Sequence, residues 1–257
     1  MFAFRKLQAA RYHRQRVDDL IELKGTELTR LEATSKPEAK GLKAAATMRT
    51  SRSSDEFAFE LCAFFAAIRS GIDFIAVACA QHIKEAQQAT SITTLLKLIT
   101  NGNKGPILKV IAEDAEWLAR LRDYRDYLVH RLVIRTTSGG EVHWEDGKAV
   151  TTPYPIVVPS ETPQNVPDTR RERAFDEPES RFSVATSRAF VTYADGTKRQ
   201  IEHTVKVEPA AGYIRIEDLM ERELMAFERF FVRIVDVLIE LDFVPMPLEK
   251  ASSQKLT

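Results

Sequence analysis

The residues of this chain best equipped for chemistry lie in one short run, Arg125-Asp126-Tyr127-Leu128-Val129-His130. An imidazole that titrates near neutral pH suits proton transfer, and a planar guanidinium suits charge developing on a phosphoryl oxygen. Asp126 and His130 stand one helical turn apart, so a pair between them would orient the ring and favour its charged form. On a helical wheel centred on Leu118, Arg125 falls about 20° to one side of the apolar axis, Arg122 about 40° to the other, Asp126 about 80° and His130 about 120°. A cation that close to the axis belongs to a packed seam, with His130 at its rim. Arg120, Arg122, Arg125, Arg131 and Arg135 outnumber Asp123 and Asp126 here, so the locality is basic.

Helices must position this run. Pro106 to about Leu132 has apolar positions Ile107, Ile111, Leu118, Leu121 and Val129, widened by Trp117 and Leu128, and is expected to be one continuous helix. Before it, Asn101-Gly102-Asn103-Lys104-Gly105-Pro106 ends a short helix around Ile92 to Thr100; it lacks a Gly-Lys-Ser/Thr ending, so it is a turn and not a phosphate-binding loop. The central core helix runs from Asp55 to about Ala80, with Phe57, Leu61, Phe64, Ile68, Ile72, Ile75 and Cys79 spaced by three and four and Ser53 or Ser54 as its cap. Antiparallel packing sets its Phe57 to Phe65 turns beside Leu121 to His130, which makes Glu60 an expected neighbour of Arg125 or His130.

Around these lie a long charged helix from Phe4 to about Ala33, a linker or partly helical connection from Thr34 to Ser53, and a last helix from Glu217 to Leu241. Between Leu132 and Val207 the periodicity becomes β-like: short strands separated by Ser138-Gly139-Gly140 and Asp146-Gly147, a Pro- and charge-rich loop from Thr152 to Glu179, and a hairpin about Asp195-Gly196. The expected organisation is mainly α: a helical bundle over 1–134, a small antiparallel β insertion over 135–215, and a C-terminal helix with a polar tail over 216–257.

Composition is that of a globular chain: 257 residues, 44% apolar and 29% charged. Formal net charge is zero, so any nucleic-acid surface must be local. Cys62 and Cys79 lie on one helix about 25 Å apart, beyond disulfide reach, which suits a reducing compartment. No secretory leader is visible, and the apolar stretch Phe57 to Ala80 is broken by Glu60, Arg69 and Asp73, so a buried helix is expected and not a membrane span; a cytoplasmic setting follows.

An Arg, a polar residue, three further residues and a His on a helix resembles the signature of the HEPN superfamily, whose catalytic members are helical ribonucleases. The resemblance covers the helices from Ser53 to Leu132. It implies a HEPN-like bundle and metal-independent RNA cleavage without cofactor, with His130 in proton transfer, Arg125 on the scissile phosphate and Asp126 as the polar residue. Arg122, Arg131, Tyr127 and Glu60 are the expected substrate-side neighbours. It also implies a homodimer whose motifs share one cleft, RNA as partner, and, for a toxin or defence effector, a cognate antitoxin or regulator. The alternative is a non-catalytic HEPN-like dimerisation or nucleotide/RNA-binding module; a further rival is a bundle in which Arg125 only bridges to Glu60 or Asp114. Among the other histidines, His13 sits in a solvated basic run, His82 falls on the core stripe, and His143 and His203 make no metal box; Arg170-Arg171-Glu172-Arg173 is read as loop.

Overall fold

The computed structural model describes residues 2–34, 46–53, 55–128, 137–145, 148–161, 181–192 and 197–241. The fold is mainly helical with small antiparallel sheets. Helix α1 (Phe2–Thr34) runs antiparallel to α2 (Asp55–Ala80), since Phe2 stacks on Phe74 and His13 bonds Glu60. Helix α6 (Ile216–Glu240) lies across both: Arg11 reaches Glu228, and the Phe227 ring fills the notch over Gly71. Their shared core contains Phe57, Phe64, Ile68, Ile72, Phe227 and Phe230, all fully buried. By length and composition α2 is apolar enough to cross a membrane, with a mean hydropathy of 1.8, yet half of that window is buried within the fold and the helix serves as its core.

After α2, a 3-10 turn (Lys84–Ala86) leads to α3 (Ile92–Thr100), whose first amide donates to Asp73. Gly102, at φ 86°, takes the left-handed turn that closes α3, and Pro106 opens α4 at a position where no amide is needed. The expected continuous helix is in fact two. Helix α4 (Pro106–Glu113) stops at Asp114, and α5 (Ala115–Asp126) restarts from it. The 3.6-residue apolar spacing passes through this break unchanged. At the break the Asp114 side chain, 6% exposed, turns to Arg233 of α6 at 2.7 Å. At Tyr127–Leu128 the chain widens into a π turn.

The segment expected as linker contributes a strand, β1 (Ala46–Ser53), which pairs with β2 (Thr137–Glu145); β2 pairs in turn with β3 (Lys148–Pro153), all antiparallel. Ser138-Gly139-Gly140 is therefore strand and not turn, with Gly140 opposite Thr50. Glycine is needed at 140 for approach: a Cβ there would come within 2.7 Å of Leu28 Cδ1 on α1. Two three-residue strands, β4 (Val157–Pro159) and β7 (Tyr213–Arg215), pair antiparallel. Between them in sequence, β5 (Phe182–Thr192) and β6 (Lys198–Pro209) form the expected hairpin, with a register shift between Ala185 and Thr186. The expected turns at Asp146-Gly147 and Asp195-Gly196, the possible cap Ser54, strand residues 132–136, the Arg170–Arg173 run and the polar tail lie outside the described residues.

Candidate functional site

Helix α5 is held on two sides, and that grip places its C-terminal end. Tyr124 stacks on Phe65 of α2 with ring centroids 4.8 Å apart, so the expected pairing of those turns is found. Its hydroxyl donates to the Pro159 carbonyl at 2.8 Å, which ties α5 to β4; burial drives its pKa far above the usual tyrosine value. On the other side the Trp117 indole N–H donates to Glu223 Oε2 at 2.8 Å. Glu223 is almost wholly buried and also meets Arg222 at 2.8 Å and Arg120 at 3.9 Å.

Arg125 emerges where this anchored helix passes into the π turn. Its side chain is 34% exposed, and Nη1 donates to Asp126 Oδ1 at 2.9 Å. Nε is buried with no hydrogen-bond partner among the described residues. The guanidinium thus straddles seam and solvent, with its inner edge desolvated and its outer edge shared with one exposed carboxylate. Arg122 is more exposed and holds Asp123 at 2.8 Å. Tyr127 is 5% exposed, with its ring 6.4 Å from that of Tyr124. Burial, with Tyr213 close by, pushes its pKa up to about 12, and a ring so placed is core and offers no face to a base.

Glu60 is not brought to this cluster. It faces α1, where His13 Nδ1 lies 2.7 Å from Oε2 and Arg16 Nε 3.9 Å from Oε1. The physical reason is the α1–α2 contact: Glu60 borders the α2 stripe on the α1 side, and the nearest cations there take it. His13 is correspondingly engaged and not a solvated residue. His82, expected on the core stripe, lies exposed just beyond the end of α2. His130 and Arg131 lie outside the described residues, as do the side chains of His143 and His203. No group of three or more His, Cys, Asp or Glu converges on a metal position among the described residues.

A second polar cluster stands apart from Arg125. A cavity of about 250 Å³ opens between α1 and the chain from β3 to β4, bounded by Ile21, Lys24, Leu28, Ile156, Arg215 and Glu217. One oxygen of Glu217 is buried with no hydrogen-bond partner among the described residues, and the other stands 3.8 Å from Arg215. Burial raises the Glu217 pKa despite the attraction of Arg215 and Arg14. The folded state therefore binds this proton more tightly than the unfolded chain, and stability should fall as pH rises from the ordinary glutamate range through the raised value. Glu217→Gln is expected to flatten that slope and to stabilise the fold near neutrality. Urea titrations between pH 4 and 8 measure it; equal slopes in the two proteins would contradict the assignment.

One buried anchor, Glu223, escaped notice in the sequence, and another, Asp114, was expected only as a bridge to Arg125, whereas it meets Arg233 and Arg229 of α6. Each sits on an apolar stripe, Glu223 between Leu219 and Phe227 and Asp114 between Ile111 and Leu118. A carboxylate on such an axis is itself the signal, since it must be buried against a donor. Comparison with protein-family models, curated proteins and solved structures finds no match. The class defined by the fold is a helical bundle with small antiparallel sheets.

Proposed function

We propose that the chain is a HEPN-type endoribonuclease that cuts RNA without a metal, acting as a toxin or defence effector. The observation that supports this most is Arg125: a guanidinium fixed at the rim of an anchored helix, part desolvated and part open, beside Asp126 and five residues before His130. A phosphate there would meet a cation with little remaining freedom, which is what charge stabilisation in the cleavage step requires. The imidazole of His130 would take the 2′-hydroxyl proton, so that the 2′-oxygen attacks phosphorus and the 5′-oxygen departs. The π turn between the two residues is a form of backbone often found at functional sites. The reading includes pairing of two copies and a neutralising antitoxin or regulator, in the cytoplasm.

The second reading, a non-catalytic HEPN-like module for dimerisation or RNA binding, is favoured by the Arg125–Asp126 pair, which already satisfies one edge of the guanidinium. Incubation with single-stranded RNA in excess chelator separates the two. The parent should cut, and Arg125→Ala and His130→Ala should each lose on the order of a hundredfold or more in rate. A parent that never cuts across varied RNA and pH, or variants that cut as well as the parent, would overturn the nuclease assignment.

A further inference from the structure

The cavity beside α1 combines apolar walls with a few charged groups, the make-up of a small-molecule site. Ile21 and Leu28 of α1 face Ile156 and Val207 across it, and Lys24, Arg215 and Glu217 bound it. Leu28, Ile156 and Val207 are themselves buried, so these walls are held by the fold. A dry cavity of about 150 Å³ takes up benzene, so one of about 250 Å³ has room for roughly ten heavy atoms.

Gly25, on the α1 wall, is the observation that points to a ligand. It is the only glycine of α1, and a helix interior disfavours glycine. Nothing in the fold asks for one here: its φ is not positive, and a Cβ would meet nothing within 4 Å among the described residues. At Gly71 and Gly140, by contrast, Phe227 and Leu28 leave a Cβ no room. The use that remains for a bare Cα on a cavity wall is to let an apolar body lie against the helix backbone.

The charged groups set the sign of that ligand. Glu217 Oε2 is sealed from solvent, without a hydrogen-bond partner among the described residues, and Oε1 turns to Arg215 at 3.8 Å. The Arg215 side chain is 45% exposed and makes no hydrogen bond among the described residues. Lys24 shares its ammonium with one exposed carboxylate, Glu27, at 3.3 Å. The donors left over therefore belong to cations, and around the cavity cations outnumber Glu217.

We propose that this cavity binds a small apolar monocarboxylic acid, with its carboxylate on Arg215 in the field of Lys24 and its hydrocarbon body along Gly25. The planar guanidinium fork matches a carboxylate, and Ile21, Leu28, Ile156 and Val207 enclose the rest. An amine would have to displace Arg215 from the one open oxygen of Glu217 and would meet the like charge of Lys24, so the acid is selected over the base. For about ten heavy atoms the dissociation constant should be on the order of 0.1–1 mM. None of these residues belongs to the Arg125 site, and the inference does not rest on the nuclease reading.

Calorimetric titration of the full chain with phenylacetate, from about 0.05 to 10 mM, tests it. The acid should bind saturably, and the isosteric phenylacetamide and the amine phenethylamine should each bind at least tenfold more weakly. Arg215→Gln should lose at least tenfold for the acid and leave the amide unchanged, which separates the charge from the walls. Gly25→Leu should abolish binding of the acid. Gly25→Ala, whose methyl has room in the folded chain, should melt no lower than the parent and still weaken the acid several-fold. No saturable binding of phenylacetate, tighter binding of phenethylamine, or affinity unmoved by either Gly25 variant or by Arg215→Gln would each overturn the proposal.

Discussion

Glu223→Ala is expected to lower stability by about 3–5 kcal/mol, the usual consequence of removing one partner from a buried charge network. The carboxylate is 3% exposed and is the acceptor on which Trp117, Arg222 and Arg120 converge. Without it the indole N–H loses its acceptor, and Arg120, whose Nε already lacks a hydrogen-bond partner among the described residues, loses its nearest counter-charge. Glu223→Gln keeps an acceptor for Trp117 and removes the charge, so a loss of about 1–3 kcal/mol is expected. With whole-domain stabilities of about 5–15 kcal/mol, the alanine variant should melt well below the parent. Urea denaturation decides, and a loss under about 1 kcal/mol for Glu223→Ala would show the network to be dispensable. The consequence reaches the candidate site, because the same helix carries Trp117 near its start and Arg125 near its end. Loss of RNA cutting in Glu223→Ala should therefore track the unfolded fraction, whereas Arg125→Ala should lose cutting at an unchanged melting temperature.

The three long helices were legible because burial on one face leaves a periodic trace: the α2 positions Phe57 through Cys79 are the buried ones, and α1 and α6 begin and end within two residues of expectation. What periodicity cannot show is a one-residue interruption that preserves the phase, and α4–α5 has one at Asp114. Strand β1, Ala-Thr-Met-Arg-Thr-Ser-Arg-Ser, is too polar to announce itself; pairing with β2 defines it. Gly139-Gly140 carries the chemistry of a turn, but its use is to let Leu28 approach a sheet, a demand that exists only after α1 has packed. For the site, the wheel put Arg125 almost on the apolar axis, within the packed seam, whereas its side chain is 34% exposed at the edge of that seam; the turns that carry Phe65 and Tyr124 do face each other, as antiparallel packing implied. Glu60 was legible only as a polar residue bordering a core stripe. Which neighbour it answers depends on the order of helices round the bundle, and His13 of α1 reaches it at 2.7 Å.

Helices α1 and α6 both approach α2 closely at one glycine. Gly71 lies in the middle of α2, where glycine ordinarily costs about 0.5–1 kcal/mol relative to alanine. Here a Cβ would fall 2.5 Å from Phe227 Cζ and 3.2 Å from Lys6 Cβ, so α6 and α1 both close on α2 at this point. The Phe227 ring is fully buried and has no solvent to retreat into. Gly71→Ala should therefore destabilise despite its better helix propensity, by about 1–2 kcal/mol net of that gain, and Gly71→Leu by about 3 kcal/mol or more. The cause can be isolated by making room. Phe227→Leu alone leaves a void and should cost about 1–2 kcal/mol, yet combined with Gly71→Ala it should cost less than the two losses added, with a coupling of roughly 1–2 kcal/mol. A strictly additive cycle, to within about 0.3 kcal/mol, would mean that the added methyl is accommodated elsewhere and that the three helices do not meet through this contact.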